Sequence, residues 1–510
     1  MLMAAYYGLS CSPEKQAETQ EPLVETHHGK VMGTYEDKVY AFKGIPYAKA
    51  ERFMTPEDPE GWDEALECRD FSPVAPQVVA WIDESNMDEE KLFTINVWTQ
   101  GVNDGKKRPV MVWLHGGSFH VGSSNDPMTY GEAMAKKGDI VFVSLNHRLN
   151  ILGFLDLSAS GDNYAQCANV GMLDIVKALE WVRDNIENFG GDPSDVTIVG
   201  ESGGGGKVGT LMCMPTAKGL FHKAIIQSGT LLNTMTKEKS QALGLAVLEN
   251  LGMKPEEADK LDTVDYKTLV KAGNDAIATL FGPRQPGSST MFGFAPSVDG
   301  EALLQQPFSP GFADLAKDIP LMIGTTLNEL VRTAYGEKDL TLEEARERLS
   351  QRFGERTDQY ISLFERAYPD YTPQDLLSVD TVFRPFTIRT ADDWSAVSEA
   401  PVYVYVFAWK SGVDNGSRGS FHGLEIPLAF YNVDLRADWT GNTEEAWQLS
   451  EAMSNAWLNF AKTGSPSAEG ILPKWEPYTA ENGNTMYFDD ESRIVKNHDR
   501  ELMRFVKPLK

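Results

Sequence analysis

Four residues suited to a buried strand, Val196-Thr-Ile-Val199, run without a break into Gly200-Glu-Ser202-Gly-Gly204. A Gly-x-Ser-x-Gly segment at a strand end predicts a turn so tight that the positions two before and two after the serine have no room for side chains. The chain must then enter a helix at once, leaving the Ser202 hydroxyl exposed above a sheet edge. Such a turn needs a strand buried on both faces, a helix packed behind it and further strands beside it.

The rest of the chain supplies those parts. Val110-Met-Val-Trp-Leu114 and Ile140-Val-Phe-Val-Ser144 are short apolar runs that read as strands of a parallel sheet. Met172, Ile175, Val176, Leu179, Val182, Ile186 and Phe189 recur at helical spacing, and Gly190-Gly-Asp-Pro193 ends that pattern. Ile319–Ile323 and Val402–Phe407 read as later strands. Between Thr234 and Tyr368 the pattern is mostly helical, Ser240–Leu251 included, which predicts insertions that build a lid or pocket wall. Alternating strands and helices predict an α/β fold, a mostly parallel sheet with helices on both faces.

No linker, repeat or shift in composition interrupts residues 22–510, which predicts a single domain; residues 1–21 read as a flexible leader or tether. The apolar run from Met1 to Ser10 ends at Cys11 and is followed by a polar stretch, the shape of a bacterial lipoprotein signal. It lacks a basic start, and Gly8 stands where leucine is usual. A frayed terminus on a cytoplasmic protein is the preferred reading, with lipid anchoring or secretion through Cys11 as the alternative.

Charge excludes one class of function. With 74 acidic against 47 basic residues, a net charge of −27, the chain has no basic stripe to neutralise nucleic-acid phosphates. It also has no apolar run long enough to make a transmembrane segment. Cys11, Cys68, Cys167 and Cys213 form neither a CxxC pair nor a Cys/His cluster, so no metal site is expected and the thiols read as free.

The glycine-rich turn has a rival reading. Gly206-Lys207 resembles the end of a phosphate-binding loop, but that motif needs glycine at the position of Glu201 and Ser or Thr at the position of Val208. Both fail. A nucleophilic serine instead needs an oxyanion hole, a base and an orienting acid. His115-Gly-Gly-Ser-Phe119 follows the strand ending at Leu114, where backbone N–H groups can approach a substrate carbonyl. The base must follow the serine and the acid in the chain. Of the eight histidines, His422 and His498 qualify. His422 is favoured because it lies in a loop just past the strand 402–407, whereas His498 sits in a charged stretch and is expected to be solvated. Glu329, after the strand 319–323, is the candidate acid; Asp299 reads as a turn residue, and Asp380, Asp392 and Asp393 are the weaker carboxylates.

At this point the chain resembles the type-B carboxylesterase and cholinesterase-like family of α/β-hydrolases over nearly its whole length. The matching blocks include Phe42-Lys-Gly-Ile-Pro-Tyr-Ala48, Asn146-His-Arg-Leu149, Phe189-Gly-Gly-Asp-Pro193, Gly200-Glu-Ser202, Ile226-Gln-Ser-Gly229, His422-Gly-Leu-Glu-Ile-Pro427 and Trp457–Gly464. The resemblance implies a serine carboxylesterase acting on small-molecule esters without metal or organic cofactor. It implies a triad of Ser202, Glu329 and His422, with backbone N–H groups of Gly117, Ser118 and Gly203 as oxyanion donors. Ser118 stands where the family usually has a third glycine or alanine, and Gly203 where it usually has alanine, but only their N–H groups are required. Cys68 matches a half-cystine of animal members whose partner position falls near Leu92, so that disulfide is not expected. The family also contains adhesion proteins that lost the serine, a reading disfavoured by the complete triad. Lys207 stands where the family more often has a small polar residue. Helical geometry turns it away from the nucleophile's face, and burial there predicts an ion pair with an internal carboxylate.

Overall fold

The computed structural model describes residues 21–230, 233–282, 293–308, 314–330 and 339–507. The proposed leader, with Cys11, lies almost wholly outside the described residues.

A large mixed sheet organises the chain. Its strands, numbered here in chain order, are β1 (Thr34–Glu36), β2 (Val39–Pro46), β3 (Thr94–Thr99), β4 (Arg108–Leu114), β5 (Val141–Leu145), β6 (Gly191–Glu201), β7 (Lys223–Gln227), β8 (Leu321–Thr326), β9 (Val402–Phe407), β10 (Asn484–Phe488) and β11 (Arg493–Lys496). The spatial order is β11-β10-β9-β8-β7-β6-β4-β5-β3-β2-β1. From β10 through β5 all neighbours run parallel, and antiparallel pairings complete both edges. The order jumps from β6 to β4, so the crevice at the strands' carboxyl ends opens where chain direction across the sheet reverses, a natural place for a site.

The central strands are apolar without alternation because both faces are covered. Along β4, Val110, Val112 and Leu114 enter one buried cluster, and Met111 and Trp113 enter another on the opposite face. Val196 and Ile198 of β6 follow the first face and Val199 the second. Helices α1 (Val170–Asn185), α2 (Gly203–Leu211), α3 (Lys237–Asn250) and α4 (Tyr266–Phe281) contribute to the first layer, while α5 (Glu444–Thr463) packs Met453, Trp457 and Phe460 into the second. The apolar stripe expected to run as one helix to Phe189 tightens to a 3₁₀ turn at Ile186–Phe189, and Gly190 at φ 76° ends it. Beyond residue 234 the insertion is helical, with α3 and α4 packed together. Cys68, Cys167 and Cys213 are buried free thiols. Among the described residues no helix is long and apolar enough to cross a membrane.

Candidate active site

The strand expected to stop at Val199 continues through Glu201, and α2 starts at Gly203, so Ser202 is the entire turn. Its backbone sits at φ 56° and ψ −120°, a conformation that costs a non-glycine residue about 1–3 kcal/mol. Close backbone packing holds it there. A Cβ on Gly200 would meet the Gly204 carbonyl carbon at 2.3 Å, and one on Gly204 would meet the Leu114 carbonyl oxygen at 2.0 Å. The Ser202 N–H donates to the Gln227 carbonyl on β7 (2.8 Å), and the Ser202 carbonyl accepts from the Gly206 N–H (3.0 Å).

The loop after β4 lies against this turn. The Cβ position of Gly116 is 3.6 Å from Ser202 Cβ, and that of Gly203 is 2.3 Å from the Ser118 nitrogen. Gly117 (φ 84°) and Ser118 (φ 57°) both adopt left-handed backbone. The Gly117 carbonyl turns away to accept from the N–H groups of His120 (3.2 Å) and Val121 (3.1 Å). The N–H groups of Gly117, Ser118 and Gly203 donate to no protein acceptor among the described residues. Three unspent donors beside a serine, one of them at a helix N-terminus, suit a developing oxyanion.

Glu329 and His422 meet across the carboxyl ends of β8 and β9. Glu329 is fully buried, its backbone bent to φ 32°, and it pairs as an isolated parallel bridge with Phe421. Its Oε1 accepts from the Thr326 N–H (2.9 Å), its own N–H donates to Thr326 Oγ1 (3.1 Å), and its carbonyl accepts from the His422 N–H (3.1 Å). Its Oε2 contacts His422 Nδ1. Carboxylate and ring are thus held by main chain as well as by each other. Phe383 stacks on the imidazole at 5.5 Å between centroids. His422 Nε2 lies 3.2 Å from Glu201 Oε1, and Ser202 Oγ forms no hydrogen bond among the described residues.

Three more carboxylates surround this pair: Glu201 and Glu425, which motif reading passed over, and Asp380, which it ranked among the weaker acids. Burial pushes Glu201 up to about 7, opposed by His422 and aided by Glu329. Glu425, whose Oε1 accepts from Ser228 Oγ (3.3 Å), is pushed up to about 8 by burial and then by Glu201 and Glu329. Asp380 is pushed up to about 7 by burial and by Glu329. His422 itself is pulled down by burial, but the facing carboxylates of Glu201 and Glu329 outweigh this and hold it above its ordinary value. Two of these residues carried a positional signal, since Glu201 adjoins the serine and Glu425 follows His422 by three.

The other sequence candidates fall elsewhere. Asp299 caps a turn, accepting from the N–H groups of Glu301 (2.9 Å) and Leu303 (3.0 Å) and from Asn169 (2.7 Å). Asp392 pairs with Arg500, and Asp393 with Arg389. His498, expected in solvent, is instead packed edge-on between Tyr368 and Tyr487, because the chain after β11 folds back over the sheet. Lys207 is fully buried, but the expected internal ion pair is not there. No carboxylate among the described residues pairs with it, and its Nζ donates to the His115 carbonyl (2.8 Å). Among the described residues no His, Cys, Asp or Glu group is arranged to hold a metal ion.

Comparison with known proteins gives a consistent result. Residues 20–506 match the model of the carboxylesterase family. The chain is 35% identical to the para-nitrobenzyl esterase of Bacillus subtilis (strain 168), covering 96% of this chain and 99% of that protein. It is 30% identical to the phenmedipham hydrolase of Pseudarthrobacter oxydans, covering 93% and 96%. Among solved structures, an esterase from Clostridium hathewayi described as hydrolysing aliphatic aromatic polyesters superposes with a TM-score of 0.85 at 37% identity, covering 96% of this chain and 98% of that one.

Proposed function

The chain belongs to the carboxylesterase family and hydrolyses carboxylic esters, and from that premise we propose that Ser202, His422 and Glu329 carry the reaction while Gly117, Ser118 and Gly203 bind the oxyanion. The supporting observation is the convergence of a strained serine turn, three unspent N–H donors and a carboxylate-held imidazole at one sheet edge.

In this reading substrate draws His422 Nε2 from Glu201 towards Ser202. The imidazole takes the hydroxyl proton as Ser202 Oγ bonds to the ester carbonyl carbon. Glu329, through Nδ1, stabilises the imidazolium that forms. The tetrahedral oxyanion rests on the three N–H groups. His422 then returns the proton to the departing alkoxide, which leaves as alcohol. Water repeats the cycle on the acyl-enzyme, with His422 accepting its proton, and releases the acid and free Ser202. The helix N-terminus and the dry surroundings strengthen the oxyanion contacts.

Ser202→Ala should lower turnover of p-nitrophenyl esters by on the order of a million-fold with folding intact. A folded alanine variant that kept a tenth or so of wild-type activity would move the nucleophile elsewhere. The same ester panel, extended through increasing acyl length, defines the acyl preference.

A further inference from the structure

Among the described residues Lys207 is the one fully buried lysine, and no carboxylate among them pairs with it. Its Nζ reaches 92 residues back along the chain to the His115 carbonyl at 2.8 Å. That carbonyl belongs to the first peptide of the loop carrying Gly117 and Ser118. The helix carrying Lys207, α2, also packs its backbone against it, where a Cβ on Gly204 would come within 3.0 Å. The imidazoles of His115 and His147 stack beside the amine at 5.1 Å between centroids, and each contacts the carbonyl of its following residue through Nδ1, at 2.8 Å and 2.7 Å. Arg148, the other cation nearby, is engaged by Asp174 and by the carbonyls of Glu51 and Met54.

The rest of the loop is held from its far end. Gln77 Oε1 accepts from the Gly122 N–H (2.7 Å), and the Phe119 carbonyl accepts from the Asn150 N–H (2.7 Å). At its near end lie two glycines, Gly116 and Gly117, which lack the Cβ that would itself resist a turn of the peptide before them. A flip of the His115–Gly116 peptide would swing the following N–H groups off the oxyanion position. The Lys207 amine is the side-chain donor that opposes that flip.

We propose that Lys207 is a positioning residue for ester hydrolysis: by donating to the His115 carbonyl, it locks the turn that aims the Gly117 and Ser118 N–H groups at the substrate oxygen. The proposal rests on the oxyanion assignment above. Burial holds the Lys207 amine well below its ordinary value, and burial followed by proximity to Lys207 pulls both imidazoles down as well.

The test compares Lys207→Met with Lys207→Gln, side chains of matched length that differ in having a donor. Both are measured for kcat and KM on a p-nitrophenyl ester and for inhibition by an aryl trifluoromethyl ketone. Addition of Ser202 Oγ to that ketone, with the hydroxyl proton passing to His422, places an alkoxide where the ester oxyanion would sit. Lys207→Met should lower kcat by about ten- to a hundredfold with KM little changed, weaken the ketone by a similar factor, and leave binding of the product alcohol unaltered. Lys207→Gln should recover most of both losses. Equal behaviour of the two variants, or a methionine variant with wild-type kcat and ketone affinity whatever its melting temperature, overturns the proposal. If neither Lys207→Met nor Lys207→Leu folds while Lys207→Gln does, the lysine serves the fold and the proposal is overturned as well. Failure of the underlying assignment reads differently, as retained activity in Ser202→Ala.

Discussion

His422 Nε2 stands 3.2 Å from Glu201 Oε1 while Nδ1 of the same ring contacts Glu329, so one imidazole bridges two buried carboxylates. In the proposed mechanism, the residue next to the nucleophile acts on the base electrostatically, and the pair Glu201–His422 sets when that base is available.

This bridging has a pH signature. A base is lost as pH falls through its titration point, and His422 is held above its ordinary value by the two facing carboxylates against the pull of burial. The rise of kcat/KM with pH should therefore be centred above the usual histidine value of about 6.5. Glu201→Gln removes one source of imidazolium stabilisation and should shift that midpoint to lower pH by about one unit or more. A pH series on both proteins checks this; an unmoved midpoint would show that Glu201 does not govern the base.

Glu329→Gln should reduce kcat by about four orders of magnitude, the scale seen when a triad acid loses its charge. Asp299→Asn should leave kcat nearly unchanged, because Asp299 is spent on Asn169 and two backbone N–H groups. Steady-state kinetics on the two variants discriminate the carboxylates, and the opposite ranking would place the acid at Asp299.

Gly203→Ala should be damaging at this site. A Cβ there would meet the Ser118 carbonyl oxygen at 2.1 Å and nitrogen at 2.3 Å, both main-chain atoms. The loop must retreat, so kcat/KM should fall by about 100-fold, the scale of one lost oxyanion donor. An alanine variant with unchanged kinetics would mean that the loop yields without cost.

Stability in acid should depend on a buried ion pair far from the sequence motifs. Arg384 Nε bonds Asp499 Oδ2 at 2.7 Å, with the side chains 5% and 1% exposed. Burial alone would raise Asp499, but Arg384 holds its carboxyl far below the usual carboxylate range. A depressed carboxyl contributes stability that is full above its unfolded value of about 3.9 and is lost as pH falls towards the folded one. Asp499→Asn should cost about 3–5 kcal/mol near neutrality, because Arg384 is left buried and unpaired, and the deficit should shrink on acidification. Urea melts at several pH values measure it. A deficit independent of pH would assign the loss to packing.

Much of this architecture was legible because it is local. The run Val196–Val199 into Gly200 already dictates strand, turn and helix, and Val402–Phe407 is the strand its β-branched and aromatic residues predict. The Glu329–His422 contact was accessible from chain order, from the strand that each residue follows and from the family resemblance. What stayed hidden depends on distant packing. Lys207 could be recognised as buried from its helical position, but its partner is a carbonyl of the loop after β4, and main-chain acceptors leave no trace in residue identity. His498 looked solvated because its neighbours in sequence are charged, whereas its neighbours in space are Tyr368 and Tyr487. Glu201 was passed over because a strand's last residue does not reveal which loop it will face.

The ring of carboxylates around His422 also bears on how the reaction ends. Burial and repulsion from Glu329 leave Glu201, Glu425 and Asp380 reluctant to ionise. Hydrolysis generates one more carboxylic acid in that same space. Once it ionises, its charge is repelled by its surroundings, and departure to water relieves the conflict. By microscopic reversibility, the proton needed for esterification must enter with the acid or already sit on His422. In the proposed mechanism, forward turnover is thus helped by repulsion of its own anionic product.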